Sequence, residues 1–427
     1  MPQIGGNVKA LDFMNTFGVN VHFNENNYRN TSAIADALNI IGFSRIRSRC
    51  VRAEEAAAWK DVAAKSKCYF PNGLNADVLI TGYLNDTSDV SLASQKKLVP
   101  QIADFIEMIE GPNEINNYSV GEGTHGPSDK HDRTKEFASN SVAWAEALYQ
   151  WRQAEPLLSR VKLLAPSIAS GMPEDYSSLP DISQYVDAGN LHFYAGNGRQ
   201  PSKFEGGNFE AIYRWYKAAA TPAKPVALTE WGQTTAGKKA QDGCNEATQA
   251  KYILNQMFDA VAMGVYRAYI YQLMDDTSDG DPTGKGGSEE HFGIFDYKWR
   301  VKPAAQALAN VKNLLADKTA NFMAVIPDYN VKGVKDAGAA GSSLSISMSG
   351  GSTFIVVWNE PRIWDSKANK PETPPVNKVT VNFGGNYAYK VHDPLIGLDA
   401  IAAGQGSSVE VNLSGSPIMI QIVPAGK

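Results

Sequence analysis

Two glutamates set the chemistry this chain can do. Glu114 closes the stretch Phe105-Ile-Glu-Met-Ile-Glu-Gly-Pro-Asn-Glu114, and Glu230 lies within Val226-Ala-Leu-Thr-Glu-Trp-Gly232. Each follows an apolar run that enters a glycine-containing turn, the sequence pattern of a strand ending in a loop. A carboxylic acid kept protonated near neutral pH can give its proton to a poor leaving oxygen. A second acid kept ionised can attack the carbon left behind. Such a pair, held roughly 5–5.5 Å apart, breaks glycosidic bonds with retention, and each member helps set the pKa of the other. Two acids compete with Glu114. Glu110 shares its facing by strand alternation but lies deeper, and reads as structural; Glu107 is the other. Asn359-Glu360-Pro361 is a further decoy in a β-rich context, where Glu360 is expected to be a surface carboxylate in a turn.

The elements that would position this pair recur along the chain. Short β-branched or aromatic runs occupy 17–23, 43–49, 77–83, 105–110, 162–168, 190–195, 226–229 and 267–273. Between them lie stretches of helical periodicity, such as 31–41, 91–102, 135–155, 209–220 and 245–263. Eight strand-helix units in about 300 residues fit a closed (β/α)₈ barrel, whose chemistry sits at the C-terminal ends of its strands. No Gly-x-Gly-x-x-Gly opens the first helix, which disfavours a dinucleotide fold. Pro303 begins the last helical stretch. From residue 318 the pattern changes to alternating runs at 343–348, 353–358, 379–383, 387–392, 409–413 and 418–423. The expected architecture is an α/β TIM barrel over 1–317 and a small antiparallel β-sandwich over 318–427.

On these motifs the chain resembles the retaining glycosidases of glycoside hydrolase clan A. Asn113-Glu114 after strand 4 and Glu230 after strand 7 look like the clan's acid/base and nucleophile signatures. His192-Phe-Tyr194 at strand 6 is similar to its His-x-Tyr. Gly42-Phe-Ser-Arg-Ile-Arg47 looks like its strand-2 segment, and Gly293-Ile-Phe-Asp-Tyr-Lys-Trp-Arg-Val-Lys302 like the stretch entering the last helix. The resemblance implies that Asn113 binds a substrate hydroxyl and that Arg47 and Tyr194 sit beside the nucleophile. The layout is similar to family 39 and, more loosely, to family 5. The chain departs from the common pattern in having Ile115 after the acid/base where Pro is usual. Tyr271-Gln272 also stands where family 5 has a Trp.

Other residues are candidates by position. His22 ends strand 1 and Tyr83 ends strand 3, where either could line a sugar site or pack structurally. His192 is taken as a substrate contact. Trp231 adjoins Glu230, so alternation points it away, toward core or toward a sugar. Gln272 and Asp275 open the polar loop after strand 8 and could bind hydroxyls. The spacing Asp275-Asp276-x-x-Asp279-x-Asp281 lacks the order of a calcium loop, so no metal is expected there. The insertion 118–132 carries His125 and His131 and is expected to wall the cleft.

Composition narrows the partners. Forty-five acidic against 40 basic residues give a net charge of −5, which argues against a nucleic-acid partner. No apolar run is long enough for a membrane span. The start lacks the n- and h-regions of a signal peptide. Secretion or a periplasmic location after signal removal is favoured over the cytoplasm. Cys50, Cys68 and Cys244 are too scattered for a disulfide framework or a zinc site, although Cys50 and Cys68 could pair. The expected function is retaining hydrolysis of β-glycosidic bonds in a polysaccharide or oligosaccharide, endo-acting, without a cofactor. An exo-acting β-glycosidase and a non-catalytic carbohydrate-binding barrel are the alternatives. Arg47, Arg49 and Arg267 are placed near the rim.

Overall fold

The computed structural model describes residues 7–70, 72–82, 84, 91–116, 133–169, 176–203, 209–236, 243–276, 289–317, 319, 321–322, 328–339 and 341–424. After a short strand β1 (Asn7–Lys9), the barrel strands are β2 (Phe17–Asn20), β3 (Arg45–Arg49), β4 (Asn75–Leu79), β5 (Ile106–Glu110), β6 (Lys162–Leu164) with β7 (Ile168–Ala169), β8 (Gly189–Phe193), β9 (Val226–Trp231) and β10 (Ala268–Ile270). All pairs are parallel, in the order β6-β5-β4-β3-β2-β10-β9-β8-β7. The ring closes where Ala165 N donates to Ala188 O at 3.0 Å. The fifth barrel strand is thus split in two, which the single run 162–168 did not foretell. Its break carries Ser167, a residue that anchors the turn after β5.

Helices between the strands follow their end signals. The one at Thr31–Ile41 begins where the Asn30 side chain accepts from Ala33 N, and ends at Gly42 with φ 78°. Asparagine satisfies an orphan amide at one end and glycine adopts the left-handed turn at the other. The Ile34, Leu38 and Ile41 side chains lie fully buried in the main core. The helix Pro303–Leu314 has its proline in the first turn, as expected.

The second sheet contains β11 (Tyr329–Lys332), β12 (Ser343–Ser347), β13 (Thr353–Val357), β16 (Asn377–His392), β17 (Ala402–Leu413) and β18 (Ile418–Pro424), while β14 (Trp364–Asp365) and β15 (Lys370–Pro371) form a separate two-stranded sheet. The expected strands 379–383 and 387–392 are one strand, β16, whose register shifts between Asn382 and Tyr387. Before the shift it pairs with β11, and after it with β18. A bulge of this kind lets one strand turn a corner between two layers. Alternate residues of these strands point inward, and Ile355, Val379, Val381, Val411, Leu413 and Ile420 fill the space they enclose. Two strands were not anticipated. β11 precedes the first predicted run, and β1 crosses from the chain start to pair with β12 in parallel.

The second sheet meets the barrel through a mixed apolar and polar seam. Trp358 is fully buried, stacks on Phe258 and donates from Nε1 to Asp259 Oδ1 at 3.1 Å. Asn255, in the helix Glu246–Ala262, donates from Nδ2 to Gln200 Oε1, Asn359 O and Gly415 O. Glu360 corrects the sequence reading. It is fully buried rather than a surface carboxylate, because the segment that carries it lies in this seam, where Ser202 N donates to its Oε2 at 2.6 Å. Burying a polar side chain without its partners costs about 1–3 kcal/mol. Asn255→Ala, which strips the donor from several carbonyls across the seam, is therefore expected to lose about 1–3 kcal/mol in chemical denaturation. A loss within about 0.5 kcal/mol, the range of ordinary surface changes, would contradict the seam's role.

Candidate active site

Both glutamates reach the C-terminal mouth of the barrel by different routes. Glu230 belongs to β9 itself and is in register with His192 of β8. Glu114 lies four residues beyond β5, in a turn where its own φ is 45°. A side chain in the left-handed region is uncommon and persists where surrounding structure holds it. Here the break in the fifth barrel strand does so: Glu114 N donates to Ser167 Oγ at 2.8 Å and Ile115 N to Ser167 O at 3.1 Å. Gly111 allows the approach, since a Cβ there would meet Pro166 Cγ at 2.8 Å. Gly232 serves the other strand likewise, because its Cβ would lie 2.2 Å from Tyr271 O.

The two carboxylates face each other across His192. One ligand atom each from Glu114, His192 and Glu230 lie within 4.8 Å of one another. Glu230 receives donors on both oxygens, Arg47 Nη1 on Oε1 at 2.6 Å and Tyr194 OH on Oε2 at 2.8 Å. Those two donors leave the trio suited to proton and nucleophile chemistry more than to metal ligation. Arg47 also bonds to Glu110, to Asn20 Oδ1 at 2.7 Å and to Asn113 Oδ1 at 2.8 Å. Burial opposes the Arg47 charge, but Glu110, Glu230 and Asp77 outweigh it and hold the guanidinium firmly protonated. Burial, with Glu230 next to it, pushes the Tyr194 hydroxyl well above its ordinary range, so it remains a donor.

A cavity of about 600 Å³ opens above the pair. Among the sequence candidates, His22, Arg47, Asn113, Glu114, Tyr194 and Glu230 line it. His22 is held neutral, its pKa lowered to about 4 first by burial and then by Arg47 and Arg49, against the pull of Glu230. Four other candidates do not line it. His192 is buried beneath the carboxylates and touches them rather than the cavity. Trp231 is completely buried, as strand alternation allows, and belongs to the core. Gln272 is turned inward, with Oε1 accepting from Tyr28 OH at 2.8 Å. Asp275 pairs with the buried Lys302, whose Nζ also donates to Gly293 O. An unpaired buried lysine would be costly, so Asp275 is claimed by it. Tyr83, the 118–132 insertion with His125 and His131, and Asp279 and Asp281 lie outside the described residues. Arg267 is also displaced from its expected place. It precedes β10, at the opposite end of the barrel, and binds Glu107 together with Arg45.

The cavity has residues the sequence reading did not single out. Tyr271 and Phe292 form an aromatic wall beside Tyr194, with ring centroids 5.4–6.3 Å apart. Their signal was only an aromatic at a strand-8 end and another in the following loop. Thr229 and Asn190 lie deeper, and sequence gives polar residues inside a barrel no distinguishing mark.

Below Arg47 lies Asp77, fully buried in β4, with neither carboxylate oxygen hydrogen-bonded among the described residues. Burial first, then Glu110, raises its pKa well above the usual carboxylate range, against the pull of Arg47. A carboxyl whose pKa is raised by folding contributes stability fully present below its unfolded value of about 3.9 and loses it as pH rises through the folded value. Asp77→Asn has no proton to lose. Its melting temperature relative to wild type is expected to rise progressively from pH 4.5 to pH 8.5. A difference that stays constant over that interval would show that Asp77 does not titrate abnormally.

No family model matches the sequence, and no curated protein matches it. Solved structures do match. A family 39 glycoside hydrolase from the gut symbiont Bacteroides cellulosilyticus WH2 is 14% identical, with a TM-score of 0.56 over 96% of this chain and 82% of that one. An active-site mutant of the Rhizomucor miehei beta-1,3-glucanosyltransferase, in complex with laminaritriose, is 12% identical. Its TM-score is 0.49, over 69% of this chain and 97% of that one. GH5_18 from Streptomyces cattleya, in complex with GlcNAc, is 17% identical, with a TM-score of 0.48 over 71% and 81%. At these identities a likeness speaks for fold, and the first of them spans both parts of the chain: the architecture is a TIM barrel followed by a β-sandwich.

Proposed function

We propose that this protein is a retaining glycoside hydrolase that cleaves β-glycosidic bonds within a polysaccharide or oligosaccharide. The observation that carries the reading is the approach of Glu114 and Glu230 to within 4.8 Å. That spacing suits direct attack by one carboxylate, whereas inversion needs roughly 6.5–9.5 Å to admit a water. The hydrogen-bond pattern divides the roles. Glu230, with an arginine and a tyrosine donating to it, is the ionised nucleophile. Glu114, facing the His192 imidazole, is the acid/base. It protonates the glycosidic oxygen while Glu230 attacks the anomeric carbon, and then takes a proton from the water that releases the sugar.

The cavity walls fit this sequence of steps. Asn113 turns Oδ1 to Arg47, which directs its Nδ2 away from the guanidinium to meet a sugar hydroxyl. His22 Nε2 is buried without a hydrogen-bond partner among the described residues, and neutral imidazole can bond a hydroxyl in either sense. Tyr271 and Phe292 give the apolar wall that a sugar face requires. The cleavage falls within a chain rather than at its end.

Glu114→Ala and Glu230→Ala are each expected to reduce hydrolysis of aryl β-glycosides on the order of 10³-fold. Added azide is expected to restore turnover, giving a β-glycosyl azide with Glu114→Ala and an α-glycosyl azide with Glu230→Ala. Undiminished activity in either variant would refute the assignment. With a polysaccharide, a fall in viscosity ahead of reducing-end release is expected for endo action, and the reverse order would favour an exo-enzyme.

A further inference from the structure

Beneath the two carboxylates runs a chain of hydrogen bonds whose direction is fixed at one end. Glu110 is fully buried and bonded to Arg47. Its Oε2 is 2.6 Å from Asn190 Nδ2. An ionised carboxylate only accepts, so the Asn190 amide must present its nitrogen to Glu110 and its oxygen the other way. That oxygen accepts from Thr229 Oγ1 at 2.7 Å. A threonine hydroxyl has a single hydrogen, and Asn190 takes it. Thr229 Oγ1 can therefore meet His192 Nε2, 3.1 Å away, only as an acceptor, and Nε2 must carry a proton. His192 Nδ1 then faces Glu114 Oε1 at 3.0 Å.

We propose that Glu110, Asn190 and Thr229 lock His192 as the neutral tautomer protonated on Nε2, so that its Nδ1 accepts a hydrogen bond from the Glu114 carboxylic acid. The groups around the imidazole agree with this direction. Glu230 Oε2 lies 3.4 Å from Nδ1, but Arg47 and Tyr194 already supply donors to Glu230, and Glu114 is the neighbour left to hold the shared proton. The proton count closes with one proton between Glu114 and Nδ1 and one on Nε2. In the resting site the acid keeps its proton because it has an acceptor facing it. Thr229 and Asn190 are thus positioning residues that act through His192. The catalytic meaning of this arrangement rests on the function proposed above, whereas the tautomer itself does not.

The test separates the two. Long-range ¹H–¹⁵N correlation spectra of the ¹⁵N-labelled chain report the tautomer of each of its six histidines, with His192 assigned by its loss in His192→Gln. At neutral pH the His192 ring is expected to be neutral, protonated on Nε2 and bare on Nδ1. A wild-type ring protonated on Nδ1, whether alone or as imidazolium, would overturn the proposal. Thr229→Val, which removes the acceptor, is expected to populate the other tautomer, and Thr229→Ser to restore the first. On glycosides, Thr229→Val is expected to lower the alkaline pKa of kcat/KM by about one unit and to slow alkyl glycosides by about 10-fold. Dinitrophenyl glycosides, whose leaving group needs no proton, are expected to stay within about twofold. Equal losses on both substrates would reject the positioning role. A wild type that hydrolyses no glycoside would sink the functional reading while the spectrum still decides the tautomer.

Discussion

The guanidinium of Arg47 is the constraint around which this site is built. It is only 3% exposed and bonds to Glu110, Glu230, Asn20 and Asn113. Taking such a cation out of water is expensive, and leaving it unpaired by removing one partner typically costs about 3–5 kcal/mol. The planar fork of arginine suits four partners lying in different directions, which a lysine ammonium would serve less well. Asp77, Glu110 and Glu230 draw on this one cation. Glu110 and Glu230 bond to it, while Asp77 has no hydrogen bond among the described residues and is driven toward its neutral form. The cation that bonds to Glu230 is thus the one that orients Asn113 at the cavity wall.

The two acids are held in opposite ways, and that asymmetry is what the proposed double displacement requires. Glu230 stands on a strand, where the sheet fixes its backbone and two donors fix its carboxylate. Glu114 stands on a strained turn anchored by Ser167, facing an imidazole. The broken fifth barrel strand, the glycines after β5 and β9, and the polar chain from Glu110 to His192 all serve this difference. Sites on rigid elements are placed more accurately than sites on loops. Here the loop residue gains that accuracy from a neighbouring strand.

Much of this was legible in the sequence because it follows from periodicity and strand ends. The barrel and the strand-end positions of Glu114 and Glu230 can be located by counting alternating positions and turns, whereas Arg47 and Tyr194 were placed beside Glu230 by the resemblance to clan A. Two of the misplaced residues share one cause: a strand end gives a position, not a side-chain direction. Gln272 and Asp275 sit at the right rim, yet Tyr28 and Lys302 capture them. Arg267 heads its run, so strand polarity alone puts it at the N-terminal end of the barrel, opposite the rim it was assigned to. Glu360 looked exposed since a turn usually is, but packing between the barrel and the second sheet buried it. β1 pairs with a strand more than 300 residues away, a relation that no local pattern encodes. The direction of the Asn190–Thr229–His192 chain needed distances, because residue types alone permit either tautomer.

The most direct test of the account is the anomeric configuration of the first-formed product, followed by ¹H NMR during hydrolysis of a β-glycoside. A carboxylate pair within 4.8 Å predicts that the β-anomer appears first and mutarotates later. Initial appearance of the α-anomer would mean that water attacks directly, and would contradict Glu230 as the nucleophile.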